Sequence, residues 1–142
     1  MDPIRILTIV TIAMFAVLAV ITVFISIQKR TMFAKLGQLL EDGKYDEFFR
    51  LIDSRIARLV YPDYNRSYFK LNAHMIKGDW KEAEKLLDDL LARKVSDEQR
   101  ADLVIKAFNI YISLSRGKKA KRMLDEIERL DSAKYGDSQQ DC

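Results

Sequence analysis

Side chains able to do chemistry are few and scattered in this 142-residue chain. His74 is the only histidine and stands in no HExxH context, and Cys142 is the only cysteine, so no zinc-type ligand set and no intramolecular disulfide is expected. Asp88-Asp89 and Asp125-Glu126 are paired carboxylates of the kind that general acid–base catalysis uses. Both pairs fall on the polar side of helical runs, where such groups are ordinarily just solvated. No glycine-rich phosphate loop, dinucleotide-binding fingerprint or serine nucleophile elbow occurs. The sequence therefore predicts no enzyme, no catalytic residues, no metal, no cofactor and no small-molecule substrate. The remaining chemistry is electrostatic: Arg116, Lys118, Lys119, Lys121 and Arg122 put five basic side chains into seven residues. They open a helical run whose N-terminal dipole prefers acidic residues. Contact with anionic lipid, RNA or an acidic partner is one reading of this basic patch, and a solvated lysine-rich turn is the other.

What must position these residues begins with a membrane segment. Residues 6–27 read ILTIVTIAMFAVLAVITVFISI, a 22-residue run without a charge. At about 1.5 Å per residue it spans roughly 33 Å, the thickness of a hydrocarbon core. A cleaved signal peptide has a shorter apolar core and a small-residue exit site, whereas this run leaves through Ser26-Ile27-Gln28-Lys29-Arg30. A single uncleaved transmembrane helix is expected, with residues 1–30 as the anchor and its flanks. Lys29, Arg30 and Lys35 outweigh Arg5 and the α-amino group opposed by Asp2, which predicts the N-terminus outside and the C-terminal domain in the cytoplasm. Ala13, Ala16, Ala19, Thr22 and Ser26 are small residues of the kind at which another transmembrane helix packs, and the ordinary content of a lipid-facing helix is the other reading.

Residues 31–142 carry 21 basic and 20 acidic side chains, a net charge of +1 that argues against a dedicated nucleic-acid binder. Their apolar residues fall at helical spacing in six runs, around Phe33–Leu40, Phe48–Val60, Tyr68–Ile76, Ala83–Leu91, Leu103–Ile112 and Ala120–Leu130. The breaks lie at Gly43, at Tyr61-Pro62-Asp63, at Gly78, before Ser96 and at Gly117. Asp79–Glu82 and Ser96–Gln99 each have the pattern of a helix-starting capping box. The fold class is all-α, over residues 31–130, and the polar tail 131–142 has nothing to bury.

The runs also repeat. Gly43-Lys44-Tyr45 and Gly78-Asp79-Trp80 are 35 residues apart, and an offset of 37 pairs Ala83 with Ala120, Leu87 with Leu124, Asp88 with Asp125 and Leu90 with Ile127. A helix pair recurring every ~34 residues resembles the tetratricopeptide-repeat family. The best matching stretch is GDWKEAEKLLDDLL, residues 78–91, with a turn glycine, the aromatic Trp80 opening the second helix and the small Ala83 at a helix crossing. Phe48 and Gly37 depart from the pattern in the first repeat. The resemblance implies about three antiparallel helix hairpins in a short superhelix, with Gly43, Gly78, Trp80, Ala83 and Ala120 as its structural positions. It also implies a concave groove in which Asn72 and Asn109, equivalent at the same offset, hold a bound segment while Lys70 and Lys106 favour an acidic one. The implied function is a membrane-anchored adaptor or scaffold that recruits or assembles a partner protein. A small accessory subunit, packed through residues 6–27 into a larger polytopic membrane complex, is the alternative.

Overall fold

A computed structural model describes residues 2–140, with side chains through residue 134; Cys142 lies outside the described residues. Among them the secondary structure is helical throughout, in seven helices: α1 (Pro3–Glu41), α2 (Tyr45–Ile52), α3 (Arg55–Val60), α4 (Asp63–Lys77), α5 (Trp80–Ala92), α6 (Asp97–Ser113) and α7 (Gly117–Gln140). The contacts divide the chain into two compact units, residues 1–62 and 63–142.

In the first unit the apolar run and the helix expected after it are one element. Nothing between Ile27 and Leu36 breaks a helix, so α1 continues for 39 residues. Its first part is exposed along its length, and its last turns bury Met32, Leu36 and Leu39 against Phe48 and Ile52 of α2 and Ala57 and Val60 of α3. The expected single helix through 48–60 is instead two. Ser54 interrupts it, because its hydroxyl accepts the Ala57 amide and so starts a new helix. Tyr61, just past α3, is buried and donates its hydroxyl proton to the Lys29 carbonyl at 2.9 Å.

In the second unit α4 packs on α5, α5 on α6 and α6 on α7. The core is Leu71, Ala83, Leu87, Leu90, Leu103, Ala107, Ile110, Tyr111 and Ala120, with Trp80 partly buried against it. Helix α6 lies between neighbours and buries residues on two sides, which is why its sequence is less cleanly two-faced than that of α5. The Ser96 box forms as expected: its hydroxyl accepts the Gln99 amide and the Gln99 side chain accepts the Ser96 amide. The Asp79 box does not. Asp79 makes no side-chain bond to the start of α5, and one carboxylate oxygen lies 3.7 Å from His74 Nδ1 instead. Helix α7 runs on to Gln140, past the boundary expected at residue 130, with residues 131–134 exposed.

Three helix ends share one turn geometry. Gly43, Gly78 and Ser115 have positive φ, at 71°, 81° and 58°. Each precedes an amide bonded back across the turn, Lys44 to the Leu39 carbonyl, Asp79 to that of His74 and Arg116 to that of Tyr111, at 2.7–2.9 Å. These are Schellman caps, and they recur 35 and then 37 residues apart. The break expected at Gly117 is therefore made two residues earlier by Ser115. Gly117 is already the first residue of α7.

Candidate functional site

Side chains of α4 and α6 meet around a recess of about 360 Å³, lined by Tyr64, Asn65, Tyr68 and Phe69 from α4 and by Glu98, Gln99 and Asp102 from α6. The aromatic wall comes from spacing, since Tyr64 and Tyr68 are one helical turn apart and their rings stack with centroids 6.1 Å apart. Asp102 organises the floor. It accepts the Tyr68 hydroxyl proton, and its other oxygen lies 4.0 Å from Lys106 Nζ. The same ammonium sits 5.3 Å from the centre of the Tyr68 ring, an aromatic–cation contact. Burial, reinforced by the bond to Asp102, pushes the Tyr68 hydroxyl up to about 12, so it remains a proton donor at neutral pH.

The four residues expected in a groove are distributed around this recess rather than gathered in it. Asn72, half-buried one turn beyond Tyr68, makes a side-chain hydrogen bond with it. Lys106 is held by Asp102 and the Tyr68 ring, and Lys70 is half-buried on α4. Asn109 lies exposed toward the end of α6. The tyrosines, Glu98 and Asp102 were not singled out by sequence reasoning. Their one legible signal was Tyr64 and Tyr68 at i, i+4 on a helix that precedes an acidic first turn.

The basic patch is likewise divided. Arg116 Nε and Lys119 Nζ lie 3.6 and 3.5 Å from the carboxylate of Glu84, a largely buried group on α5, while Lys118, Lys121 and Arg122 are exposed. Lys119 also lies 5.3 Å from the centre of the Tyr111 ring, whose hydroxyl donates to Asp88 at 2.9 Å. Burial first, and Asp88 second, raise the Tyr111 hydroxyl well above its ordinary range. Thus two of the five cations compensate an internal carboxylate, which accounts for their place at an unfavourable helix terminus.

The paired carboxylates expected to be merely solvated mostly join helices. Asp88 accepts a hydrogen bond from the Tyr111 hydroxyl, Asp89 shares Arg93 with Asp63, and Glu126 forms a two-pronged pair with Arg100 at 2.8 and 3.1 Å. His74 is held below its ordinary range, first by burial. Among the described residues no cluster of His, Cys, Asp and Glu is arranged to hold a metal ion. No protein-family model, curated protein or solved structure matches the chain.

Proposed function

We propose that the protein is a membrane-anchored adaptor of tetratricopeptide-like design, in which α1 crosses the bilayer and the α4–α7 unit captures a segment of a partner protein. Several features support the anchor. No residue of the most apolar 18-residue window of α1 is buried within the chain, so the window is not a core helix of this fold. Its hydroxyls bond within the helix, Thr8, Thr11, Thr22 and Ser26 each donating to the carbonyl four residues earlier at 2.8–2.9 Å. A helix satisfied in this way offers lipid no unpaired polar group and needs no neighbouring helix to accept one. Met32, Leu36 and Leu39 continue the same helix into the buried core of the first unit, which favours an anchor retained in the mature chain over a cleaved signal. Lys29, Arg30 and Lys35 favour a cytoplasmic position for the residues C-terminal to the span. A membrane-impermeant maleimide applied to intact cells then leaves Cys142 unlabelled, and efficient labelling reverses the orientation.

The observation that carries the capture reading is the recess between α4 and α6. Tyrosines that present a broad apolar face and a polar tip are the side chains enriched at protein interfaces. Glu98 and Asp102 beside them suit a basic or hydrogen-bonding side chain of the bound segment, in place of the acidic one suggested by Lys70 and Lys106. The test is co-purification of the full chain from its source membranes in mild detergent, then affinity measurement with the captured partner. Tyr64→Ala with Glu98→Lys lowers that affinity at least tenfold while far-UV circular dichroism stays unchanged. Undiminished affinity in the double variant refutes the recess as the binding site. Replacing residues 4–28 with an unrelated transmembrane helix preserves the activity of an adaptor; its loss with a folded second unit favours an accessory subunit of a polytopic complex.

A further inference from the structure

The first unit leaves one feature that an anchor and a capture site do not use. Helix α3 buries Ala57 and Val60, yet Leu59 is 82% exposed and Ile56 51%. Ile56 and Leu59 lie three residues apart, so they form a short apolar stripe on the helix surface. Arg55 and Arg58, also exposed, form a basic stripe beside it. Asp53 is the one acidic side chain between residues 48 and 62, against Arg50, Arg55 and Arg58.

The height of this helix along α1 is fixed by a hydrogen bond. Tyr61 Oη donates to the Lys29 carbonyl, and Lys29 is two residues beyond the last apolar residue of the run, Ile27. At about 1.5 Å per residue that carbonyl stands roughly 3 Å outside the hydrocarbon edge, within a headgroup layer about 5–7 Å deep. Leu59 precedes Tyr61 by two residues, so it lies within a tyrosine side chain and a short piece of helix of that carbonyl. Lys29 and Arg30 are exposed on α1 at that level, where lipid phosphates would lie, and add to the positive charge of Arg55 and Arg58.

We propose that α3 is a lipid-binding element: Ile56 and Leu59 enter the boundary between headgroups and acyl chains, and Arg55 and Arg58 bind the phosphates of anionic lipids. This rests on α1 spanning the bilayer. The protein would then be held by a span and by a surface helix at its exit, which restricts rotation of the first unit about the anchor. The occupant is the bilayer surface because exposed apolar side chains and arginines share α3, and α3 is tied to α1 just past the apolar run.

Full-length chain in the Cys142→Ser background, in nanodiscs of phosphatidylcholine and phosphatidylglycerol, carries a nitroxide at Leu59→Cys, at Phe15→Cys or at Asp42→Cys, an exposed position at the far end of α1. Collisions with oxygen and with a water-soluble nickel chelate report depth. Leu59 should read as interfacial, between a deeply embedded Phe15 and an aqueous Asp42. A Leu59 label as aqueous as Asp42, with Phe15 embedded, overturns the inference and spares the span. Phe15 in water overturns both. A Leu59 label immobilised and reached by neither collider assigns the stripe to a second copy or another protein and overturns the lipid reading. Arg55→Gln with Arg58→Gln, or removal of phosphatidylglycerol, should lower the docked-to-undocked ratio about fivefold per arginine. An unchanged ratio refutes the phosphate contacts.

Discussion

The two units are held together by different means. The first buries eight side chains outside the apolar run, from Met32 to Tyr61, and Tyr61 ties the end of α3 to the Lys29 carbonyl of α1. The second adds to its core a set of polar ties between helices: Tyr68 to Asp102, Tyr111 to Asp88, Arg93 to Asp63, and Arg100 to both Glu126 and the Leu91 carbonyl. Except for the exposed Arg93–Asp63 pair these bonds are partly buried, and charged hydrogen bonds of this kind fix which helix faces which, beyond what apolar contact alone specifies. The contrast teaches that the first unit rests on a small apolar core and one tie to α1, whereas the second adds to its core polar ties that link each helix to a neighbour.

The largest effects should separate the two directly. Phe48→Ala removes the largest fully buried side chain of the first unit, at a cost of about 3–5 kcal/mol. So few core residues cannot absorb that loss, and the amides of α2 and α3 should lose hydrogen-exchange protection altogether. Leu87→Ala, with a cost of about 2–5 kcal/mol, should lower the melting temperature of the second unit and leave it folded. Retained protection in α2 and α3 would place the first unit on the same footing as the second.

A smaller effect tests the close helix approach in the second unit. Ala83 is fully buried between its neighbours, so Ala83→Leu overpacks the site and costs about 1–3 kcal/mol, read as a lower melting temperature. An unchanged melting temperature would mean that the helices can part there without penalty.

The same residues show what a sequence discloses. The helical class and the Ser96 box were legible because both depend on neighbours within one or two turns. The offset of 37 already pointed from Gly78 to Ser115 as the next turn residue, but counting glycines selected Gly117. A non-glycine residue in the left-handed region leaves no compositional trace. The Asp53-Ser54 break was hidden because apolar spacing continues across it from Ile52 to Ile56. Asp79 had the residue types of a box, but beside the left-handed Gly78 its side chain meets His74. The recess was the least legible part. Tyr68 with Asp102 and Arg100 with Glu126 are 34 and 26 residues apart, and no local pattern announces a pairing made only when helices stack.

The turns give the next effect. A Cβ at Gly78 would meet open space, so Gly78→Ala is penalised for its positive φ alone, by about 1 kcal/mol. Ser115→Gly runs the other way. It relieves the same conformation and should stabilise by about 0.5–1 kcal/mol, less than the full strain because glycine gains freedom in the unfolded chain. Urea midpoints for the two variants should move in opposite directions, and a shared direction would show that the two caps are not equivalent.

The last effect is a pH dependence confined to the recess, silent at neutral pH. Burial and the bond to Asp102 raise the Tyr68 hydroxyl from 10.0 to about 12, so the folded state holds this proton more tightly than the unfolded chain. Its contribution to stability is complete below pH 10 and is lost as pH rises from about 10 through about 12. Lysines and other tyrosines titrate in the same range, so the informative quantity is a difference. The stability of the wild type minus that of Tyr68→Phe, from urea unfolding at several pH values, should be constant up to about pH 9.5 and then decline. Absorbance at 295 nm in the folded wild type should show a late-ionising tyrosine that is missing in the variant. A difference that stays flat through pH 12 would mean that neither burial nor the bond to Asp102 keeps the proton on the Tyr68 hydroxyl. The polar floor of the recess would then not order the second unit, and the contrast with the first would rest on its core and its arginines alone.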